Sequence, residues 1–315
     1  MCRLIDDIAA FLEGNGFECS RQMRHGFDVI CTRTADGRKE KIIIPLEIKA
    51  ETLAEAVQDS EDAYEAIHMA SREEGGYPLV VTEDRWRRQG EMMRARILAH
   101  LELFSQAYAR NCEVRRIEKA EAQAFLNENH SYGYAACRYR YGLFLKRHTG
   151  HIAEELRCLG SVRDNSSEDL KKSNGQIGKL IAVATFSNAR RWIKDGKEIS
   201  SYEWTRYASL PDMRVSGGMG KLLKAFIKDV QPDDIMSYAD LEWSEGTVYE
   251  QLGFKREHLG KEPVLFTVDC RTWERGAVRS LDKLGMTEGS SGMTEGLFFR
   301  NFGSRKYRLK LTDYR

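Results

Sequence analysis

Apolar residues at Leu4, Ile5, Ile8, Phe11 and Leu12 recur at helical spacing over residues 3–13, and Gly14 closes the run. The chain therefore opens with an amphipathic helix. Three strand-like runs follow at 17–23, 27–33 and 41–49, the last two joined by a turn that contains Asp36-Gly37. That dipeptide is a hairpin signal. A helix over 52–73, the apolar strand Leu79-Val80-Val81-Thr82 and a helix over about 84–107 complete the order α-β-β-β-α-β-α. The helical pattern of Met92, Met93, Ile97, Leu101, Phe104 and Tyr108 then gives way to the polar stretch 110–116, which sets a boundary between domains 1–110 and 111–315.

In the second part, residues 122–129 read as a helix with Phe125 and Leu126 turned inward, followed by strands at 139–146 and 179–188. Between these strands, residues 158–178 are almost free of apolar side chains and predict a long exposed loop. A strand at 203–208 leads through a glycine-rich turn into a helix, then a short strand at 235–240, a helix at 246–254 and a strand around 264–269. The segment Gly-Met-Thr-Glu-Gly occurs at 285–289 and again at 292–296, too short for an architectural repeat and read as a flexible insertion. Mixed strands and helices in this order place the chain in the α/β (α+β) class.

Composition narrows the picture. The 315 residues are enough for two domains, 31% are charged, and no apolar run approaches the length of a membrane helix. A soluble protein with no membrane partner is expected, and residues 1–7 lack the basic and apolar pattern of a secretory signal, which points to the cytoplasm. Seven scattered cysteines, none at zinc spacing, fit free thiols. The net charge of +1 is a cancellation: residues 1–110 hold 15 Lys and Arg against 20 Asp and Glu, and the rest hold 34 against 28. Two units with different partners are implied, and near-neutrality does not argue against nucleic acid.

Asp28 opens the second strand, and Glu47-x-Lys49 ends the third, where strand alternation puts Glu47 and Lys49 on one face. With the element order, this resembles the PD-(D/E)xK nuclease superfamily over residues 1–105, and Gln58 resembles the extra glutamine of its archaeal-resolvase and Mrr-like branches. The resemblance implies a restriction-endonuclease-like αβββαβ domain in which Asp28 and Glu47 share a divalent cation such as Mg2+ and Lys49 activates water or neutralises phosphate. Phe27-Asp28 replaces the usual Pro-Asp, so an inactive relative kept for DNA or protein contacts stands beside an active nuclease.

Arg214-Val215-Ser216-Gly217-Gly218-Met219-Gly220-Lys221 lies between a strand and the helical run Leu222, Leu223, Phe226 and Ile227. Free N–H groups at such a helix start favour a phosphate or pyrophosphate. The P-loop pattern is absent, because Leu222 follows Lys221. Together with Tyr249-Glu250-Gln251-Leu252-Gly253-Phe254, the layout resembles the GNAT acyltransferase superfamily over residues 113–270, although Met219 stands where that loop usually has Gly or Ala. The resemblance implies a GNAT-like mixed-sheet domain that uses acetyl-CoA or another acyl-CoA.

The set Asn129-His130-x-x-Gly133, Glu203-x-x-Arg206, Ser237-Tyr238-x-Asp240 and residues 299–309 is similar to a phage and mobile-element group of GNAT proteins related to Mom-type DNA modifiers. That likeness implies N-acyl transfer onto a nucleic-acid base. It also implies Tyr249 as the acid, Glu203 or Asp240 as the base, and His130 as a metal ligand. Each has a structural alternative: Tyr249 as a helix anchor, His130 as a helix cap, Arg206 as partner of a carboxylate. The runs Arg138-Tyr139-Arg140-Tyr141 and Arg190-Arg191-Trp192, with Arg300, Arg305, Lys306, Arg308 and Lys310, mix cations with aromatics as nucleic-acid surfaces do. Two other readings stay open: a metal-dependent DNA nuclease with a GNAT-like DNA-binding domain, and a non-catalytic binding protein. Nothing in the sequence sets an oligomeric state.

Overall fold

The computed structural model describes residues 3–74, 76–146, 178–194, 196–258, 260–278 and 296–313. The polar segment 158–178, except its last residue, and the two Gly-Met-Thr-Glu-Gly segments, except Gly296, lie outside the described residues. No described helix is long and apolar enough to cross a membrane.

The chain forms two compact units, and a single cut near residue 110 does not separate them. Unit 1 takes Met1–Leu103, Ala239–Thr247 and His258–Arg305; unit 2 takes Phe104–Tyr238, Val248–Glu257 and Lys306–Arg315.

Unit 1 begins with helix α1 (Leu4–Gly14) and strands β1 (Cys19–Arg24), β2 (Phe27–Arg33) and β3 (Glu40–Leu46). Helix α2 (Leu53–Glu74) then leads to β4 (Leu79–Thr82). The sheet order is β1-β2-β3-β4, antiparallel except for the parallel pair β3 and β4. Both faces are covered, which explains the unbroken run Ile42-Ile43-Ile44. Ile30, Ile43, Leu79 and Val81 pack on one side with Leu4, Ile8, Leu12 and Met93. Val29, Cys31, Ile42, Ile44 and Val80 pack on the other with Ala63 and Ile67 of α2. Strand alternation alone produces this division. The turn between β1 and β2 is His25-Gly26, both at positive φ (49° and 81°), the backbone that a tight two-residue hairpin requires.

The expected long helix over 84–107 is instead α3 (Glu83–Arg88) and α4 (Gly90–His100), followed by β5 (Ser105–Tyr108). Gln89 leaves helical geometry ahead of Gly90, a poor interior helix residue, and Glu102 turns the chain at φ 66°. Strand β3 stops at Leu46, so Glu47 and Lys49 lie on the extended segment beyond it.

Unit 2 is built on strands β6 (Cys112–Arg116), β7 (Tyr139–Leu145), β8 (Leu180–Phe186), β9 (Arg190–Lys194) and β10 (Lys197–Ser209). Helix α5 (Lys119–Asn129) lies between β6 and β7 in the chain. After β11 (Met213–Ser216), parallel to β5, come α6 (Gly218–Val230), β12 (Asp234–Asp240), α7 (Thr247–Gln251) and β13 (Lys255–Arg256). The main sheet runs β13-β17-β12-β10-β8-β7-β6, where β17 is Ser304–Lys310 and β9 pairs with β10. Phe125 and Leu126 of α5 meet Phe144 and Val183, while Phe226 of α6 stacks on Phe186 at 3.8 Å.

The strand expected around 264–269 exists as β14 (Leu265–Asp269), but it pairs with β15 (Arg275–Ala277) and β16 (Gly296–Arg300) in unit 1. The place beside β12 belongs to β17, whose cationic sequence hid a strand.

Candidate functional site

Strands β10 and β12 run parallel for three residue pairs, Ser201 to Asp234, Tyr202 to Ile235 and Glu203 to Met236. Beyond Glu203 their pairing stops, and β10 bulges between Trp204 and Arg206. From Trp204 onward β10 keeps β8 on one side and has no ladder partner among the described residues on the other. Such an edge offers main-chain groups to an extended, amide-bearing ligand.

Ser237 sits where the strands part. Its Oγ lies 3.0 Å from the Trp204 carbonyl oxygen and 2.9 Å from the Tyr249 hydroxyl. One serine proton cannot serve both at once. While it is donated to the carbonyl, the phenol keeps its own proton for Ser237 or for a ligand. Helix α7 carries Tyr249, and Gly253 at φ 89° closes it, with the Phe254 N–H donating to the Tyr249 carbonyl at 2.9 Å. The Tyr249 ring stacks on Tyr307 at 5.3 Å and meets Trp204 and Phe254 edge-on. Burial pushes its phenol pKa up, so the group holds its proton at neutral pH as a general acid must. Ser237 stood in a motif visible in the sequence, but its role depends on the parted strands.

The glycine turn is a helix start. Gly217, at φ 74°, is the residue before α6, and the first helical hydrogen bond runs from the Lys221 N–H to the Gly217 carbonyl at 3.0 Å. The N–H groups of Gly218, Met219 and Gly220 precede it, the arrangement that receives an anion. A Cβ on Gly218 would come within 2.9 Å of Val215 Cγ1 and 3.3 Å of the Tyr207 hydroxyl, and one on Gly220 within 3.3 Å of Leu252. These contacts set the turn against β10 and α7. Val215 is buried, Arg214 is exposed with its guanidinium 5.4 Å from the Phe104 ring, and Ser216 Oγ accepts from Gln106 at 3.1 Å. Lys221 serves another purpose: its ammonium donates to the carbonyls of Ala109 (2.7 Å) and Cys112 (2.6 Å), pinning the turn before β6.

Glu203 occupies the last position of β10 that pairs with β12, its N–H donating to Ser187 Oγ at 2.9 Å. Arg206 donates to the carbonyls of Gly133 (3.1 Å) and Thr205 (2.8 Å). Burial lowers its pKa, and the nearby Glu203 charge works against that. His130 follows α5, and its Nδ1 accepts the Tyr132 N–H at 3.1 Å, a bond within the turn beyond the helix. Asp240 falls in unit 1, where its Oδ1 accepts the Glu242 N–H at 3.0 Å and its Oδ2 lies 3.7 Å from Arg85. The two carboxylates proposed as bases thus sit in different units.

Unit 1 has its own cavity of about 500 Å³, lined among others by Asp28, Glu47, Lys49 and Arg3. Gln58 is not among the lining residues; its amide donates to Asp62 at 2.8 Å. Among the described residues no three His, Cys, Asp or Glu side chains converge as a metal would need. Arg3, which the sequence placed as the first residue of a helix and gave no role, stands just before α1 and donates to Asp28 at 2.8 Å.

The cation-aromatic runs fall into different environments. Tyr139 and Tyr141 turn inward onto Phe226, and Tyr141 donates to Asp229 at 2.6 Å. The late cations are paired: Arg300 with Glu61, Arg305 with Glu245, Lys306 and Arg308 with Glu257. Arg190, Arg191 and Lys194 on β9 are exposed.

No family model and no curated protein matches the chain. Among solved structures, a GNAT-family acetyltransferase from Bacillus anthracis is similar at 12% identity and a TM-score of 0.27, covering 64% of this chain and 95% of that one. A likeness so distant carries no argument about chemistry.

Proposed function

We propose that unit 2 is an N-acyltransferase that takes an acyl-CoA donor. The observation that carries this reading is the grouping of three features: the anion-receiving start of α6, the open edge of β10 and the Tyr249 hydroxyl. A Cβ added to Gly218 would reach the Tyr207 hydroxyl on β10 and one added to Gly220 would reach Leu252, three residues from Tyr249, which supports joining the helix start and the phenol in one site.

The residues suit the donor. Backbone N–H groups at 218–220 receive the pyrophosphate, and the unpaired edge of β10 receives the amides of the pantetheine arm. The bound donor supplies a thioester carbonyl at the point where β10 and β12 part. Glu203 takes a proton from the attacking amine as its nitrogen bonds to that carbonyl carbon. Tyr249 returns a proton to sulfur as the carbon–sulfur bond breaks. Arg206, bonded to the Gly133 carbonyl, holds the 130–134 turn beside Glu203. For the acceptor, the amine of a nucleic-acid base fits the exposed cations of β9 and the half-exposed Tyr132 ring, which can stack on a flat heterocycle.

A second reading, nucleic-acid cleavage by unit 1, rests on the cavity that gathers Asp28, Glu47 and Lys49.

Calorimetry with acetyl-CoA tests the main reading. Binding is expected and should vanish in Gly218→Asp, which sets a carboxylate among the phosphate-binding N–H groups; no binding to the wild type removes the proposal. Mass spectrometry of nucleosides from DNA of expressing cells then decides the acceptor: a new adenine mass supports a base, and an unchanged profile excludes it.

A further inference from the structure

Asp28 and Glu47 come from different segments, one on β2 and the other just past β3, and both carboxylates are partly open to solvent. A divalent cation shared between them would have to sit within about 2.1–2.6 Å of an oxygen from each. The guanidinium of Arg3 is already there. Its Nη2 lies 2.8 Å from Asp28 Oδ2 and its Nε lies 3.8 Å from Glu47 Oε1, so two nitrogens of one planar group address both carboxylates. Arg3 stands just before α1 in extended geometry (φ −64°, ψ 146°), outside the helix. Three more carboxylates, Asp59, Asp62 and Glu65, line the same cavity against a single Lys49, so the surroundings favour a positive charge.

We propose that Arg3 is the resident cation of this pocket: its guanidinium holds the position between Asp28 and Glu47 that a divalent metal would take, and unit 1 binds no such metal there until Arg3 is withdrawn. Coulomb's law sets the direction of the effect. A fixed positive charge a few ångströms from both ligands opposes a divalent ion directly, and removing it restores two free carboxylates to the ion.

Mn2+ binding to the full-length protein, followed by electron paramagnetic resonance of the free ion, tests this without any catalytic readout. The wild type should show no stoichiometric site. Arg3→Ala and Arg3→Gln should each gain one Mn2+ with affinity raised by about tenfold or more, the scale of losing one charge from a partly exposed site. Adding Glu47→Gln to either should remove the gain. Arg21→Ala deletes an equally exposed cation paired with Asp6 and should behave as wild type. A wild-type site that Glu47→Gln abolishes overturns the proposal. So does a lack of gain in both Arg3 variants with native far-UV circular dichroism, or an equal gain in Arg21→Ala.

Discussion

The centres of the two units are held by different forces. Unit 1 places three arginines among carboxylates in its interior. The Arg275 guanidinium bonds Asp84 (2.9 Å from Nη2), Glu242 (2.7 Å from Nη1) and Thr82 (3.1 Å), and Arg85 bonds Glu242 from the other side at 2.9 Å. Arg96 donates to the carbonyls of Val80 and Trp243 and lies 4.0 Å over the Trp243 ring. Unit 2 instead gathers Phe186, Tyr139, Tyr141 and Tyr202 around Phe226. The contrast follows from how each unit is assembled. Unit 1 draws on three stretches far apart in sequence, and Thr82 to Arg85, Glu242 and Arg275 represent one each. Apolar contact tolerates many registers, whereas a forked guanidinium accepts few, so the ion pairs select which stretches meet.

Breaking the lattice should produce the largest effect. Glu242, with 1% of its side chain exposed, counters both Arg275 and Arg85. Glu242→Ala leaves two buried cations short of a partner, which costs about 3–5 kcal/mol. In urea, tryptophan fluorescence should show the unit 1 transition moving to lower denaturant while the unit 2 transition stays in place. A change below about 1 kcal/mol would mean that the lattice contributes little.

Acid should reproduce part of that loss. Burial alone would raise the Glu242 carboxyl, but Arg275 and Arg85 hold it down to about 2. A folded-state pKa below the unfolded value gives stability that is full above about pH 4.5 and is lost as pH falls toward 2, up to about 3 kcal/mol by linkage. The unit 1 midpoint should therefore fall across that window, and the Glu242→Ala protein should show a flatter dependence.

The same contrast explains which features could be read from the chain. The apolar run Ile42-Ile43-Ile44 marked a strand, and its lack of polar alternation follows from burial on two sides. The glycine turn at 217–220 was legible because a backbone at positive φ, packed closely against Val215 and Leu252, tolerates few other residues. Ion-pair partners left no such trace. Arg305, Lys306 and Arg308 read as part of a nucleic-acid surface because the carboxylates that pair with them, Glu245 and Glu257, lie about fifty to sixty residues away, and Asp234 farther still. For the same reason β17 was missed, Asp240 was read as a base although Arg85 faces it, and Lys221 was read as a phosphate ligand although two carbonyls hold it. Arg3 is the limiting case, a residue before a helix whose partners lie on β2 and just past β3.

A smaller loss is expected in the aromatic centre. Phe226 is fully buried and stacks on Phe186 with an interplanar angle of 2°. Phe226→Leu keeps most of the apolar volume and forfeits the ring contacts, about 1–2 kcal/mol from unit 2, with no new dependence on pH. A pH-dependent loss in this variant would show that charges outside the aromatic cluster share its support.

Arg88 and Glu274 supply the sharpest comparison because they join the same two stretches as Arg275 and Asp84: Arg88 ends α3, which also holds Asp84, and Glu274 directly precedes Arg275. Their side chains are 49% and 58% exposed, against 10% and 5% for Arg275 and Asp84. Water already solvates both exposed groups, so their pairing adds little beyond the entropy lost in holding two long side chains. Arg88→Ala should lower unit 1 stability by no more than about 0.5 kcal/mol, and 1 M salt should erase the difference, since charges at the surface are screened within about 3 Å at that ionic strength. The Glu242→Ala deficit should persist in the same salt. If Arg88→Ala proved as damaging as Glu242→Ala, the connection between the stretches, not the burial of its charges, would be what stabilises unit 1.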